Sequence, residues 1–308
     1  MKLMKITVIT LLLLFLPYLV LTLFLKENEN NLFFEYGKNT YVKVKREEKN
    51  IIEEVPLEEY VAGVLSGEMP INFEEEALKA QAVAARTYVL KKMEAKNDFD
   101  VVDTVSNQVY INEEERKEKW KDKFEERNNK IKKVVNDTKG EYVAYDDKVI
   151  EAFFFSTSVG VTENSGEVFS KQLPYLVSVE SKWDEKVSPV YQVEYDFELK
   201  EFYQKLGLPY QDQLNIKILN STSSGRVKKL SINGVIMDAG SVFSKLNLKS
   251  TFFTIVQNSA SVHITTKGYG HGVGMSQYGA NGMAKEGYQY DQILKHYYQG
   301  TVIKNLKK

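Results

Sequence analysis

The sequence predicts an α+β protein in which an N-terminal transmembrane helix is followed by one extracytoplasmic mixed α/β unit with paired helices and antiparallel hairpins. Three observations carry this prediction: an unbroken apolar run at residues 6–25, two successive segments of helical periodicity at 57–68 and 74–92, and hairpin turn signals such as Asn233-Gly234. The 308 residues carry a net charge of −1 and suffice for one large core or two modest ones. No basic tract is interleaved with aromatic residues, so no nucleic-acid partner is predicted.

The apolar run at residues 6–25 is long enough to cross the roughly 30 Å of hydrocarbon in a bilayer. Lys2 and Lys5 precede it, and by the positive-inside rule they keep the N-terminus in the cytoplasm and export the rest. We therefore divide the chain into a cytoplasmic tip and anchor at 1–26 and an extracytoplasmic domain at 27–308, held at the cell membrane by a single pass. A cleaved signal peptide is the alternative, although no A-x-A site follows the run.

The exported part begins with a polar spacer, after which residues 32–46 are expected to form two short strands around the turn signal Gly37-Lys38-Asn39. Cysteine is absent from the chain, so the domain has no disulfides and is stabilised by packing alone.

The first predicted helix, residues 57–68, places a carboxylate where an apolar residue is expected. At 100° per residue Leu57, Val61 and Val64 share a stripe, and Glu68 continues that stripe. Gly67 is typical of a helix end, so Glu68 would lie at the mouth of a core, where lost hydration raises the pKa of a carboxyl group. A carboxyl that keeps its proton near neutral pH can act as a general acid. The alternative is a glutamate that frays from the helix end into solvent.

The second predicted helix, residues 74–92, is rich in alanine and apolar almost all the way round, which indicates close neighbours on most sides. Its central charges, Glu75, Lys79 and Arg86, fall on one narrow strip. The strip is interpreted as the wall of a groove in which Lys79 and Arg86 hold a polar or anionic ligand beside Glu68. A solvent-facing strip stabilised by a Glu-Lys pair is the alternative.

The next segments alternate between extended and helical patterns. Residues 98–111 are expected to be extended, and residues 113–135 to form a heavily charged helix with a solvated face. Trp120 on that helix would be the anchor if the charged face instead bound a partner.

A hairpin is predicted at residues 141–155 around Asp146-Asp147. It leads into a cluster of hydroxyl groups that includes Ser156 and Thr157. At a strand end such hydroxyls can face a ligand, or they can cap a turn with no further role.

Residues 174–249 are interpreted as an elaboration in the middle of the same α+β unit. Strand, helix and hairpin patterns alternate from here to the glycine-rich stretch, with predicted strands at 189–197, 251–257 and 261–266, helices at 198–206 and 238–246, and a hairpin at 226–237.

The C-terminal part combines a glycine-rich loop with two helices. Residues 268–274 alternate glycine with larger residues, which suits a loop that lies flat against another surface, and His271 within it is a candidate lining residue. A helix over 275–286 would carry Ser276, Gln277 and Tyr278 on its first turn, where groups commonly meet a ligand. A last helix over 291–299 would add the rings of Tyr297 and Tyr298, on which a sugar could stack.

Two long motifs resemble one known family. V-P-L-E-E-Y-V-A-G-V-L-S-G-E-M-P at 55–70, continued by F-E-E-E-A-L-K-A-Q-A-V-A-A-R-T-Y at 73–88, is similar to the opening motif of the stage II sporulation protein D and amidase-enhancer domain family. G-Y-G-H-G-V-G-M-S-Q-Y-G-A-N-G-M-A at 268–284 resembles the C-terminal hallmark of the same family. The resemblance covers nearly the whole chain after the first 30 or so residues.

The resemblance implies a lytic transglycosylase that cleaves the glycan strands of peptidoglycan during engulfment of the forespore. The family's single catalytic glutamate corresponds to Glu68, which would act first as acid and then as base and leave a 1,6-anhydro product. Hydrolysis remains open, because Glu74, Glu75 or Glu76 could supply a second carboxylate. The non-enzymatic alternative is a glycan-binding amidase enhancer or scaffold. The residues expected to bind substrate are Lys79, Arg86, Ser156, Thr157, His271, Ser276, Gln277 and Tyr278.

The resemblance also implies partners: peptidoglycan glycan strands, a cell-wall amidase resembling stage II sporulation protein P, and a membrane scaffold resembling stage II sporulation protein M. Family members often carry His where this chain has Phe155 and Gly-Gly where it has Val159-Gly160, and some have been linked to zinc through Cys. With three histidines and no cysteine in the chain, we predict no metal and no cofactor.

Overall fold

The computed structural model describes residues 40–306, in which helices alternate with mainly antiparallel sheets, as the predicted α+β class requires. None of the helices in that range is long and apolar enough to cross a membrane. The predicted anchor at residues 6–25 and the predicted turn at Gly37-Lys38-Asn39 lie outside the described residues.

The N-terminal part pairs two helices behind a hairpin. Strands β1 (Tyr41–Arg46) and β2 (Ile51–Pro56) are antiparallel, and helices α1 (Leu57–Glu68) and α2 (Glu75–Met93) follow and pack on each other. Both helices agree with their predicted bounds to within one residue. The alanines of α2 are buried, since small side chains let α1 and the later elements approach its backbone closely.

The segment after α2 is mostly irregular. Of the predicted extended stretch 98–111, only β3 (Val101–Val102) is a strand, and it pairs in parallel with β1. The rest returns as a loop over α1.

The charged segment is not one helix, contrary to the prediction. It consists of α3 (Glu113–Trp120), a 3₁₀ turn (Lys121–Lys123) and α4 (Phe124–Asp137). The break occurs at Lys121, whose φ of 50° is incompatible with a continuous α-helix. Trp120 is only 5% exposed and packs near Phe124, so it is part of the core and offers no anchor to a partner.

The predicted hairpin is present as β4 (Glu141–Tyr145) and β5 (Lys148–Val149), with positive φ at Asp146 and Asp147 as a tight two-residue turn requires. The chain then forms the short strand β6 (Phe154–Phe155) and two single-turn helices, α5 (Ser165–Val168) and α6 (Asp184–Val187).

A second hydrophobic core follows, separate from the first and built by residues 192–267, which overlap the predicted elaboration 174–249. Its elements are β7 (Gln192–Glu198), α7 (Leu199–Leu206), β8 (Ile216–Ser221), β9 (Val227–Ile232), β10 (Val235–Asp238), α8 (Ala239–Leu246), β11 (Phe253–Asn258) and β12 (Ser261–Lys267). They form two antiparallel sheets, ordered β11-β12-β7 and β10-β9-β8, with the two helices packed together. The sequence predicted most of these elements and missed β8.

The chain leaves this second core where it entered, since the backbone N–H of Gly268 donates to the carbonyl of Tyr191 at 2.8 Å. It then returns to the first core as β13 (Met275–Ser276), α9 (Gln277–Lys285), α10 (Tyr290–Tyr297) and β14 (Val302–Asn305). Helix α9 begins two residues later than predicted, because residues 275–276 pair in parallel with β6. Tyr297 and Tyr298 are fully buried, so the expectation that they offer a stacking surface to a sugar is wrong.

Candidate active site

Glu68 ends α1 at the edge of the first core. Most of the helix is buried, and Glu68 and Gly67 are half-buried where the chain turns towards Met69 and Pro70. The carboxyl group therefore lies between apolar packing and the surface, as the periodicity of the sequence predicts.

A backbone donor holds this carboxyl group. The N–H of Val109 donates to Oε1 of Glu68 at 2.7 Å. Val109 belongs to the loop that returns over α1, and this loop can approach because α1 carries Gly63 and Gly67 on the face beneath it. Val109 was not predicted as a site residue, although two glycines four residues apart in a helix indicate a close backbone approach.

Burial raises the pKa of Glu68, in agreement with the prediction, while the hydrogen bond from Val109 and the nearby side-chain amide of Gln277 oppose that rise. Desolvation is the largest of these effects. The structure thus provides a carboxyl group that retains its proton more readily than a solvated glutamate does.

The C-terminal motif meets the N-terminal motif at this point. Nε2 of Gln277 donates to the backbone oxygen of Glu68 at 3.4 Å, and the ring of Tyr278 packs edge-on against Phe73 at 4.9 Å between ring centroids. Oδ1 of Asn281, one turn along α9, accepts the N–H of Glu74 at 2.9 Å. Helix α9 therefore contacts both ends of the connection between α1 and α2, which begins directly after Glu68.

Three of the predicted substrate-binding residues lie together beside this helix, and their hydrogen bonds hold the local fold: Ser156, Thr157 and Ser276. The backbone oxygen of Ser156 accepts the N–H of Tyr278 at 3.0 Å and the hydroxyl of Ser276 at 3.3 Å. The hydroxyl of Thr157 pairs with that of Ser188 at 2.8 Å. Thr157 and Ser276 are fully buried, so their hydroxyls fix the β6–β13 junction, and their predicted contact with substrate gains no support from this geometry.

Asp184, which no sequence pattern predicted, holds a second group of serine residues beside this junction. Its carboxylate accepts hydrogen bonds from the backbone N–H of Ser158 and from the hydroxyls of Ser158, Ser181 and Ser276. Burial raises the pKa of Asp184, and these donors oppose the rise. Because Ser276 also caps α9 by accepting the N–H of Gly279, Asp184 helps to place the helix that carries Gln277. No local pattern marks a single aspartate for such a role.

Arg86 lies away from Glu68, contrary to the predicted groove. It is fully buried, and its guanidinium donates to both carboxylate oxygens of Glu58 and to the carbonyl of Glu141. Glu58 is on the first turn of α1 and Glu68 on the last, about 15 Å apart along a regular helix. A buried guanidinium that is already paired in this way has no surface to offer a ligand.

Lys79 is also engaged elsewhere. Its ammonium group lies 2.9 Å from Glu76 and within 3.5 Å of Glu75 and Asp137. Burial acts to lower the pKa of Lys79, but Glu76 and Glu75 together outweigh it, so the pKa is raised. None of the contacts among residues 40–306 joins Lys79 to Glu68. The strip of charges on α2 therefore divides into a buried ion pair and a partly exposed network.

His271 occupies a separate aromatic cluster. Its ring lies 5.6–6.1 Å from the rings of Phe153, Phe155 and Phe169, and its Nδ1 accepts the N–H of Val273 at 3.0 Å. Burial, followed by the charge of Arg226, lowers the pKa of His271 to about 4, so the ring is neutral near pH 7.

The glycine-rich loop around His271 does lie flat against other groups, as predicted. Its four glycines all have positive φ, between 74° and 97°. Arg226 of the second core lies beneath it, donating Nη1 to the carbonyl of Gly270 at 2.9 Å and facing the buried Glu163 at 3.1 Å. Cβ atoms on the loop would meet Arg226, Glu163 and the backbone of Phe153, so only glycines allow this approach.

The structure places His271 and Phe155 against each other, with 5.7 Å between their ring centroids. Among residues 40–306, no three His, Asp or Glu side chains are arranged so that they could hold a metal ion.

Comparison with known proteins gives one family. The family model for SpoIID, described as stage II sporulation protein, matches residues 45–145. Stage II sporulation protein D of Bacillus subtilis (strain 168) is 44% identical over 269 residues, which is 85% of this chain and 78% of that protein. The protein of the same name from Bacillus amyloliquefaciens is 43% identical over the same shares of the two chains.

A more distant relative is the amidase enhancer of Bacillus subtilis (strain 168), 29% identical over 295 residues, which is 78% of this chain and 40% of that protein. The matched region of the family model contains both Glu68 and Val109, the two residues whose contact organises the site. On the strength of these matches, the chain belongs to the stage II sporulation protein D family.

Proposed function

We propose that this chain is a membrane-anchored lytic transglycosylase that cleaves the glycan strands of peptidoglycan during endospore formation. Glu68 is the acid and then the base of the reaction. The observation that carries the proposal is the meeting of the two family motifs at Glu68: a half-buried carboxyl group of raised pKa, held by Val109 and bordered by Gln277.

The reaction needs one carboxyl group in two protonation states. Protonated Glu68 gives its proton to the glycosidic oxygen as the bond between that oxygen and the anomeric carbon breaks. The resulting carboxylate then accepts the proton of the carbon-6 hydroxyl group of N-acetylmuramic acid, whose oxygen bonds to the anomeric carbon. The product ends in a 1,6-anhydro ring, water is not consumed, and Glu68 is protonated again for the next cycle.

The test compares products from two single variants of the full chain on peptide-free glycan strands. Glu68→Gln cannot transfer a proton, so we expect the rate of strand cleavage to fall at least about 100-fold. The matched control is Glu74→Gln, which removes an exposed carboxylate beyond Pro70 and should retain the parent rate. Mass spectrometry of the products distinguishes anhydro ends, expected here, from the reducing ends that hydrolysis would leave. Cleavage by Glu68→Gln at the parent rate would refute the assignment.

Thermal unfolding of the same variant separates loss of chemistry from loss of fold. Because the pKa of Glu68 is raised on folding, ionisation of this carboxyl disfavours the folded state as the pH rises through the folded-state pKa. Glu68→Gln should therefore unfold at a higher temperature than the parent at pH 8, and this difference should shrink as the pH falls from the folded-state pKa towards about 4.5, the value for an unperturbed glutamate.

A non-catalytic role as a glycan-binding amidase enhancer or scaffold is the second candidate, favoured by the similarity to the amidase enhancer. In that case Glu68→Gln would bind glycan and support an amidase as well as the parent does. Under either proposal we place the chain at the cell membrane through residues 6–25, with a cell-wall amidase and a membrane scaffold as partners. These would resemble stage II sporulation proteins P and M.

A further inference from the structure

Two glycines of α1 form a groove for the returning loop. A Cβ atom at Gly67 would lie 2.4 Å from the carbonyl oxygen of Val109, and one at Gly63 would lie 2.4 Å from the ring of Tyr110 and 2.6 Å from the carbonyl oxygen of Ile111. These distances are far below van der Waals contact, and two of the three obstacles are backbone atoms, which cannot rotate away. Any other residue at either position would therefore lift the loop from the helix.

Several contacts fix the loop in this groove and prevent it from sliding. The N–H of Ile111 donates to the carbonyl of Gly63 at 3.4 Å, and the hydroxyl of Tyr60 donates to Oε1 of Gln108 at 2.8 Å. The rings of Tyr60 and Tyr110 stack with 5.4 Å between centroids. The N–H of Val109 is thus held at a defined height above the last turn of α1, where Glu68 lies.

We infer that the backbone N–H of Val109, seated by Gly63 and Gly67, is a positioning group that keeps Oε1 of Glu68 as a hydrogen-bond acceptor and assigns the transferable proton to Oε2. An N–H group can only donate, and the carbonyl oxygen of a protonated carboxyl is a better acceptor than its hydroxyl oxygen, so the oxygen that faces Val109 stays unprotonated in both protonation states of the carboxyl. This inference rests on the proposed function of Glu68.

The assignment gives each oxygen one task through the cycle. Oε2 gives its proton to the glycosidic oxygen as the bond to the anomeric carbon breaks, and Oε2 then accepts the proton of the carbon-6 hydroxyl group as the ring closes. Oε1 stays bonded to Val109 throughout. Since this hydrogen bond favours the charged form, it also limits the rise in pKa that burial causes and keeps the carboxylate available as a base.

The sharpest test removes the N–H alone. Replacing the amide between Gln108 and Val109 by an ester, through incorporation of the α-hydroxy analogue of valine into the full chain, deletes the donor and leaves every side chain in place. We expect strand cleavage to slow about tenfold, the scale of one hydrogen bond to a charged group. The pH above which activity declines should rise, and carbon-13 NMR of the Glu68 carboxyl should show a raised pKa without substrate.

A conventional variant tests the groove independently. Gly67→Ala places a methyl group against the carbonyl of Val109, and we expect it to shift the pH profile in the same direction as the ester. Ser66→Ala is the matched control on the same turn, because its hydroxyl donates to the carbonyl of Ala62 within the helix and to no other group among residues 40–306, and its pH profile should equal that of the parent.

The outcomes separate the inference from the function on which it rests. If the ester and Gly67→Ala both titrate like the parent while Glu68→Gln is inactive, the positioning role of Val109 is wrong and the catalytic role of Glu68 stands. If Glu68→Gln cleaves at the parent rate, the proposed function fails first.

Discussion

At the scale of single residues, burial alone does not distinguish Glu68. Asp184 is more deeply buried, and its pKa is also raised, yet four hydrogen bonds from serine residues occupy its oxygens. Glu68 has one donor from the backbone on Oε1 and remains half-exposed. A carboxyl group needs both a raised pKa and an open side before it can exchange a proton with a substrate, and of these two residues only Glu68 combines them.

His271 supplies a prediction at the same scale. Its ring should remain neutral down to about pH 4, whereas an unfolded histidine titrates near 6.5. The unfolded chain therefore binds this proton first, and between pH 7 and pH 5 the free energy of unfolding should fall by about 2 kcal/mol on account of His271. The ring signals of the chain's three histidines can be followed by NMR, and a His271 signal that titrates near 6.5 would contradict the prediction.

The variant His271→Gln isolates this contribution to stability. The pKa values of Glu68, Glu163 and Asp184 are raised, so these carboxyls change stability in the opposite direction over acidic pH. The free energy of unfolding in urea should therefore be compared between parent and variant across this pH range. The variant should lack the fall of about 2 kcal/mol that His271 causes in the parent between pH 7 and pH 5.

At the scale of elements, α2 forms where it is predicted, but its charged residues contact other parts of the protein and do not line a ligand groove. Its bounds follow from alanine-rich periodicity, but the partners of its charges depend on elements far along the chain. Arg86 reaches back to Glu58 on α1 and across to the carbonyl of Glu141 on β4. The N–H of Gly140 donates to the same carboxylate of Glu58, so this ion pair ties α1, α2 and the start of β4 together.

The two cations of α2 should therefore differ in their effect on stability. Arg86→Ala leaves the partly buried Glu58 without its counterion and the carbonyl of Glu141 without its donor, and we expect the free energy of unfolding to fall by about 3 kcal/mol. Lys79→Ala removes a partly exposed ammonium group from a network of carboxylates and should cost less than about 1 kcal/mol. Urea unfolding of both variants measures the difference. If Arg86→Ala kept the stability of the parent and bound glycan more weakly, the result would contradict this expectation and support the predicted role of Arg86 in ligand binding.

At the scale of the whole molecule, two hydrophobic cores share one chain, and the second is an insertion into the first. The insertion enters at Tyr191 and leaves at Gly268, which are hydrogen-bonded to each other. Its polar contacts with the glycine-rich loop include Arg226, buried against Glu163 and the carbonyl of Gly270, and the carbonyl of Lys249, which accepts the N–H of Gly270 at 3.0 Å. The residues that meet at Glu68 all belong to the first core and its loops.

This arrangement predicts that the insertion can be removed. Replacing residues 192–267 by a short Gly-Ser turn joins two backbone groups that already lie 2.8 Å apart. It also removes the three residues that contact the carboxylate of Glu163, namely Arg226, Thr222 and Ser224. The first core should remain folded. Trp120 and Trp183, the two tryptophans of the chain, both belong to that core and report on it by fluorescence. Loss of a cooperative unfolding transition in the shortened chain would show that the insertion is required for folding.

Local pattern alone determined the α+β class, the bounds of α1 and α2, the turns at Asp146-Asp147 and Asn233-Gly234, and the position of Glu68 at the end of an apolar stripe. These follow from periodicity and turn chemistry, which act over a few neighbouring residues. The tertiary structure decided that Arg86 is buried, that the charged helix breaks at Lys121, and that Val109 and Gln277 are the donors beside Glu68. Val109 and Gln277 are 41 and 209 residues from Glu68 along the chain, and only the packing of whole elements can bring such residues together.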